Sequence, residues 1–331
     1  MTTIGVVGLG QIGGSIAQGL LSRGISVIGT DTDRSALELA RTSGIGIAAD
    51  LREVLGVSSI VFVCVSLNAN MPVLQQVVEM LDSAGSPPTV TDVASYKNGT
   101  FIKPEGCSFL IPGHPMAGTQ GYGFASSDPE LFMRAQWILI ADGPLDVDRI
   151  IPLIQVITTL GARVQICGVA WHDEAVSLIS ALPHALAVSL GKVSVAPNDC
   201  ESKLTLAAGS FRSATRVLQS DPNFIRDLLL LNRHTLLPLI CAVTDALHDI
   251  ARALRSGDME MMSELIYDAL RSSALTEGRE VAVTSQTIPI SKFEFFLKSL
   301  TNSGHSIKNI TWSGKSLEVV TEYEHFRSLD H

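Results

Sequence analysis

A histidine wedged between a glycine and a proline is the first group in this chain that invites a chemical role. In Pro112-Gly113-His114-Pro115-Met116-Ala117-Gly118 the imidazole stands in a short, rigid loop that is poor core material. A side chain that titrates near neutral pH and is fixed by stiff neighbours suits general acid–base work. Upstream, Thr91-Asp92-Val93-Ala94-Ser95-Tyr96-Lys97 follows an apolar run. In an open α/β sheet the carboxyl ends of the strands face the ligand crevice, so Ser95 and Lys97 are expected to meet cofactor or substrate. A second histidine, His184, ends the run Ser180-Ala181-Leu182-Pro183-His184 within a helical pattern. The proline should kink that helix and free a carbonyl. On the residues alone, an ordinary helix-face histidine and one aimed into a cleft are both open.

The other chemical signal is a phosphate-binding turn. Gly8-Leu9-Gly10-Gln11-Ile12-Gly13 fits G-x-G-x-x-G between an apolar run and a helical pattern, the context that gives this motif its meaning. The first glycine permits the tight turn, the second lets backbone approach a pyrophosphate, and the third allows close helix–strand packing. The helix that follows offers free N–H groups and partial positive charge. Asp31, eighteen residues after Gly13, is spaced to accept the adenosine ribose hydroxyls. The competing role for Asp31 is a helix N-cap. Its carboxylate would repel a 2′-phosphate, so NAD is expected before NADP, and Arg34 is the nearby cation that tempers this choice. Ser66, just past the run Ile60–Val65, joins the cofactor set.

These groups need a frame, and the periodicity supplies one. Ile4–Val7, Val27–Thr30, Ile60–Val65, Thr89–Asp92, Phe109–Ile111, Trp137–Ala141 and Arg163–Cys167 read as strands, with helical patterns over Ile12–Ser22 and Asp148–Leu160 between them. Alternation of this kind implies a parallel sheet covered by helices. From about Trp171 to Arg279 long amphipathic helices take over. The last fifty residues read as a small βαββ-like element. The expected division is 1–170, 171–280 and 281–331. Of 331 residues, 46% are hydrophobic and 17% charged, a globular balance. Lys plus Arg is 24 against 33 Asp plus Glu, net −9, which disfavours nucleic acid as a partner. No uninterrupted apolar run suggests a membrane span, and the N-terminus lacks a basic region followed by an apolar stretch. Five scattered cysteines without metal spacing are expected to be buried free thiols in the cytoplasm.

Taken together, Gly8-x-Gly10-x-x-Gly13, Thr91-Asp92-Val93-x-Ser95-x-Lys97, Gly113-His114-Pro115-Met116-Ala117-Gly118 and Leu182-Pro183-His184 resemble the prephenate/arogenate dehydrogenase family. Phe211-Arg212-x-x-Thr215-Arg216, Ser220-Asp221-Pro222 and Arg226-Asp227 extend the match, which covers about residues 1–280. The resemblance implies a Rossmann-like domain joined to an all-helical dimerisation domain, with the site between them and a homodimer as the assembly. It implies NAD-dependent oxidation of a cyclohexadienyl ring at carbon 4 as the ring carboxylate leaves as CO2. His114 would take the proton of the ring 4-hydroxyl and Ser95 would hold His114 or that hydroxyl in line. Arg216 would pair with a substrate carboxylate, His184 would help anchor the substrate, and Arg212 would add charge at the mouth.

The departures are specific. Ala181 stands where the family often has His, and Ser213 where an acid is common. Tyr96 is bulky between Ser95 and Lys97, and the expected proline after Trp137 is missing. They raise 4-amino-4-deoxyprephenate as an alternative substrate. A β-hydroxyacid dehydrogenase or imine reductase would also join such domains, but it leaves the His114 segment unexplained. A non-catalytic NAD sensor would need the glycines and Asp31 without needing Ser95, His114 and Arg216 together.

Overall fold

The apolar runs of the first hundred residues become β1 (Thr3–Val7), β2 (Ser26–Thr30), β3 (Gly46–Ile47), β4 (Ile60–Val63) and β5 (Thr89–Asp92). Between them lie α1 (Gln11–Leu21), α2 (Arg34–Thr42), α3 (Leu51–Val57) and α4 (Leu67–Leu81). The structure is a computed structural model that describes residues 3–82, 84–97, 107–118, 121–143, 145–196, 198–276 and 279–326. The five strands pair in parallel in the order β3-β2-β1-β4-β5. The chain leaves β1 on one side and resumes at β4 on the other, which opens a crevice at the carboxyl ends of these two strands. All four residues of β4 are buried, as an unbroken Ile-Val-Phe-Val run requires when helices cover both faces.

A second sheet starts with β6 (Gly113–Pro115), β7 (Gln136–Ile140) and, after α5 (Val147–Thr159), β8 (Arg163–Cys167). His114 therefore lies in a strand and not in the expected loop. It pairs with Ile138 across an antiparallel ladder, and Pro115 is tolerated because β6 is the sheet edge. Phe109–Ile111, expected as a strand, contributes a single bridge from Leu110 to Val90, enough to tie the two sheets together.

Helices follow. α6 (Val169–Val176), a π-helical turn over Ser177–Ala181 and α7 (Leu182–Ser194) form one rod, Val169–Ser194. The kink expected at Pro183 is absent there. Proline stands where the π turn passes into α7, and the irregularity in the rod is that π turn. By length and composition alone this rod could cross a membrane. Ser177, Ser180 and Ser189 break the continuous apolar run that a sequence reading looks for, yet leave the helix apolar on average. Next come α8 (Cys200–Leu204), α9 (Gly209–Thr215), a 3-10 turn over Arg216–Gln219, α10 (Pro222–Leu231), α11 (Arg233–Ser256) and α12 (Met259–Thr276).

The end of the chain does not stand apart. β9 (Arg279–Pro289), α13 (Ile290–Leu300), β10 (His305–Ser313) and β11 (Ser316–Phe326) extend the second sheet to β6-β7-β8-β10-β11-β9. Phe293, Leu297, Ile307 and Leu317 share one core with Ile4, Trp137 and Ile154 of the nucleotide-binding half. The five cysteines are all unpaired. Cys107 and Cys167 are buried as expected, whereas Cys64 and Cys200 are partly exposed and Cys241 is exposed on α11.

Candidate active site

The glycine-rich turn has the geometry that its spacing requires. Gly8 adopts φ +93°, and a Cβ there would lie 2.6 Å from the Cys64 carbonyl oxygen. A Cβ at Gly10 would meet nothing within 4 Å, so backbone is open to an approaching pyrophosphate. The first bond of α1 runs from the Gly14 N–H to the Gly10 carbonyl, at 2.8 Å. The N–H groups of Ile12 and Gly13 ahead of it therefore have no acceptor within the helix. Leu9 behaves differently from its neighbours: its side chain is fully buried and its N–H donates to Asp31 Oδ2 at 2.5 Å. That bond holds the Asp31 carboxylate against the turn, and Oδ1 accepts the Asp33 N–H at 2.8 Å. The helix cap is Asp33, which accepts from Ser35, so the competing role for Asp31 falls away. Arg34 opens α2 and is exposed. Ser66 is the N-cap position of α4, with its side chain making no cap bond. An open Gly10, unclaimed N–H groups and a carboxylate at the end of β2 fit a dinucleotide.

Beside this cradle, Asp92 gathers the second part of the site. Its carboxylate accepts from Lys97 Nζ at 2.6 Å, Asn70 Nδ2 at 3.1 Å, and the backbone N–H groups of Ala94 and Gly113 at 3.2 Å each. Lys97 Nζ also donates to the Gly113 carbonyl. Both charges are buried. Lys97, expected to meet cofactor or substrate, is instead a strut that pins β6 to the end of β5. Burial lowers its pKa, and the adjacent Asp92 carboxylate opposes that shift. Among the described residues, the buried Ser95 hydroxyl has no hydrogen-bond partner. Buried polar atoms in folded proteins are nearly always partnered, so this oxygen is one that a ligand could satisfy.

The strut sets His114 in place, and two residues that sequence reasoning missed fix its chemistry. His114 Nδ1 lies 2.9 Å from His172 Nε2, and His172 Nδ1 lies 2.6 Å from Asp173 Oδ1. A carboxylate only accepts, so Nδ1 of His172 carries a proton, and in the neutral ring its Nε2 is the acceptor. His114 must then donate through Nδ1, and its Nε2 holds a free lone pair. Burial lowers the His114 pKa well below the usual value of 6.5, and the neighbouring Lys97 ammonium pushes the same way. The ring is thus a neutral base of defined tautomer. Adjacent His-Asp in a helical stretch, Trp171-His172-Asp173-Glu174, was the only trace of this pair in the sequence.

On α7, His184 is buried, and its Nδ1 donates to the Ser180 carbonyl at 2.8 Å. Its Nε2 is therefore the acceptor, and Phe224 packs edge-on with ring centroids 6.1 Å apart. The π turn explains how His172 and His184 come to share a side of the rod. Twelve residues at about 100° each would leave them about 120° apart. A π turn takes up about one extra residue, which brings them within roughly 20°. Arg216 begins the 3-10 turn that packs on α7. Both Arg212 and Arg216 are exposed, and no ion pair among the described residues engages either. No hydrogen bond, ion pair or ring contact among the described residues joins His184, Arg212 or Arg216 to His114. The two halves do touch where Asn68 on α4 donates to Asp227 on α10, which also pairs with Arg226 at 2.7 Å.

Comparison with known proteins gives the same outline. Residues 16–166 match the family model described as prephenate dehydrogenase, nucleotide-binding domain, and residues 169–268 match prephenate dehydrogenase, dimerization domain. The chain is 27% identical over 274 residues to cyclohexadienyl dehydrogenase of Zymomonas mobilis, covering 79% of this chain and 91% of that protein. It is 32% identical to prephenate dehydrogenase of Bacillus subtilis, covering 71% of this chain and 65% of that one. Among solved structures, arogenate dehydrogenase of Synechocystis superposes with a TM-score of 0.69 at 26% identity, covering 82% of this chain and 99% of that chain.

Proposed function

Because this chain belongs to the prephenate dehydrogenase family, NAD-dependent oxidoreductases of aromatic amino acid biosynthesis, we propose that its crevice aromatises prephenate or arogenate. The hydrogen-bond order set by Asp173 carries this reading, because in a neutral pair it leaves His114 Nε2 as a free acceptor. That atom takes the proton of the ring 4-hydroxyl as the C4–H bond gives up its hydride and C4 becomes a carbonyl carbon. The bond from C1 to its carboxylate then breaks, CO2 leaves, and its electron pair passes through the ring to the C4 oxygen, where the resulting phenolate takes back the proton held on His114. NAD+, when bound, supplies the hydride acceptor. The turn Gly8–Gly13, Asp31, Arg34 and Ser66 are the residues that would hold it. Ser95 offers its unpartnered hydroxyl to the substrate hydroxyl or to His114. Arg216 pairs with a substrate carboxylate through its planar fork, His184 anchors through Nε2, and Arg212 adds positive charge at the mouth.

In this reading residues 1–170 bind cofactor, 171–280 bind substrate and a second copy, and 281–331 complete the fold. The homodimer is supported by a stripe on α11. Leu237, Ile240, Thr244, Leu247, Ala251 and Leu254 recur at alternating spacings of three and four, and four of them are large apolar side chains that remain exposed. That is the seam through which helices pair. The exposed apolar side chains of the Val169–Ser194 rod, such as Ile179 and Val193, face protein in the dimer and not lipid. The enzyme accordingly works in the cytoplasm.

The test is turnover. Purified protein with NAD+ is given prephenate, arogenate and 4-amino-4-deoxyprephenate separately, and reduced cofactor is followed. Oxidation of a 4-hydroxyl substrate is expected, and NAD+ binding with no turnover of any of the three overturns the reading. His114→Asn should lower kcat by about 10²–10⁴-fold, the usual contribution of a general base, with NAD+ affinity unchanged. Since burial favours the uncharged ring, the acidic limb of kcat/KM should lie below about pH 6.5.

A further inference from the structure

α6 begins at Gly168 without a side-chain cap of its own, yet it carries both His172 and Asp173. Two distant side chains supply what is missing. The Gly168 N–H donates to Asn302 Oδ1 at 3.1 Å, and the Val169 N–H donates to Asp142 Oδ2 at 2.9 Å. Asp142 follows β7, while Asn302 belongs to the turn between α13 and β10, beyond the residues matched by either family model. The fit is close on both sides. A Cβ at Gly168 would lie 2.8 Å from Asp142 Oδ1. Asn302 adopts φ +56°, a left-handed conformation that asparagine tolerates better than most residues, and its own N–H donates to the Ile166 carbonyl at 3.1 Å. It therefore clamps the end of β8 and the start of α6 at once. One turn further along, the His172 N–H donates to the Gly168 carbonyl at 3.0 Å, and the His172 ring meets His114.

We infer that Asn302, with Asp142, is a positioning residue for the proposed reaction: the C-terminal element fixes the start of α6, and through it the His172–Asp173 pair that holds His114. This rests on the reading of His114 as the base. The C-terminal element thereby has a part in the chemistry without touching substrate.

Asn302→Gly keeps the left-handed backbone and removes the acceptor, whereas Asn302→Asp keeps an acceptor at the same place. The glycine variant should lose about tenfold in kcat, within the ~10²-fold that a 1 Å misplacement can cost, with NAD+ affinity unchanged. The downfield imidazole N–H resonances of the His114–His172–Asp173 chain should shift or broaden, and the acidic limb of kcat/KM should move. Asn302→Asp should restore all three. Asp142→Ala should produce the same changes, and the double variant should be less than additive because both caps serve one helix end. A glycine variant with wild-type resonances and pH profile overturns the inference, whether or not its Tm falls. The reading of His114 is judged separately: if His114→Asn leaves kcat unchanged, that reading fails, and if only His114→Asn lowers kcat, the inference about Asn302 fails.

Discussion

At the scale of single residues, the site depends on which atom of each polar group is already committed. Asp31 shows this for the cofactor. Its two oxygens hold the N–H groups of Leu9 and Asp33, which fixes the carboxylate against the glycine turn, where the proposed ribose contact would form. Asp31→Ser removes the charge and part of that anchoring. NAD+ binding should weaken by about tenfold, ~1.4 kcal/mol, while NADP+ binding tightens because the repulsion of its 2′-phosphate is gone. Titration of both cofactors checks this, and unchanged discrimination would remove Asp31 from the cofactor site. His114 is the same case in the other direction, since its Nδ1 is spoken for by His172 and Nε2 is the nitrogen left for the proposed proton transfer.

Elements hold these atoms still through buried charge and helix irregularity. The Lys97–Asp92 pair is closed to solvent and joins the end of β5, the start of β6 and Asn70 of α4. Removing one member of a buried pair strands the other. Lys97→Met should therefore cost about 3–5 kcal/mol, read as a lower urea midpoint, with activity lost through displaced β6 before the cofactor turn is disturbed. A loss within 1 kcal/mol would show that the Lys97–Asp92 pair is not what holds β6 to the end of β5. The π turn is the second device, because it rotates α7 so that His184 follows His172 on one side of the rod.

For the whole molecule the question is what covers the helical half. α11 leaves Leu237, Leu247 and Leu254 about three-fifths exposed or more, a contiguous apolar seam that a lone domain rarely shows to water. Leu247→Glu places a charge in the middle of that seam. Sedimentation should show a shift from dimer to monomer, and a variant that stays dimeric would move the interface to another face. At the other end of the chain, β10 pairs with β8 and α13 packs on it. The C-terminal fifty residues are thus part of the nucleotide-binding half in space, although they follow the helical region in sequence.

The local code determined the cofactor turn, the alternating strands and helices, and the family motif around His114, because each depends on neighbours within a few residues: a glycine at positive φ, a period of two or 3.6, a proline beside a histidine. The spacing from Gly13 also put Asp31 just past the end of β2, beside the glycine turn, since a strand–helix–strand unit has nearly fixed length. What it misassigned or missed depends on contacts between distant segments. Lys97 looked available until Asp92 and the Gly113 carbonyl enclosed it. His172 looked like an ordinary residue of a helix until that helix was laid against β6. The β6 strand itself exists because β7 supplies its ladder. The His114–His172 contact and the clamp from Asn302 to Gly168 arise only when the chain has closed on itself, because hydrogen bonds across more than fifty residues leave no periodic mark.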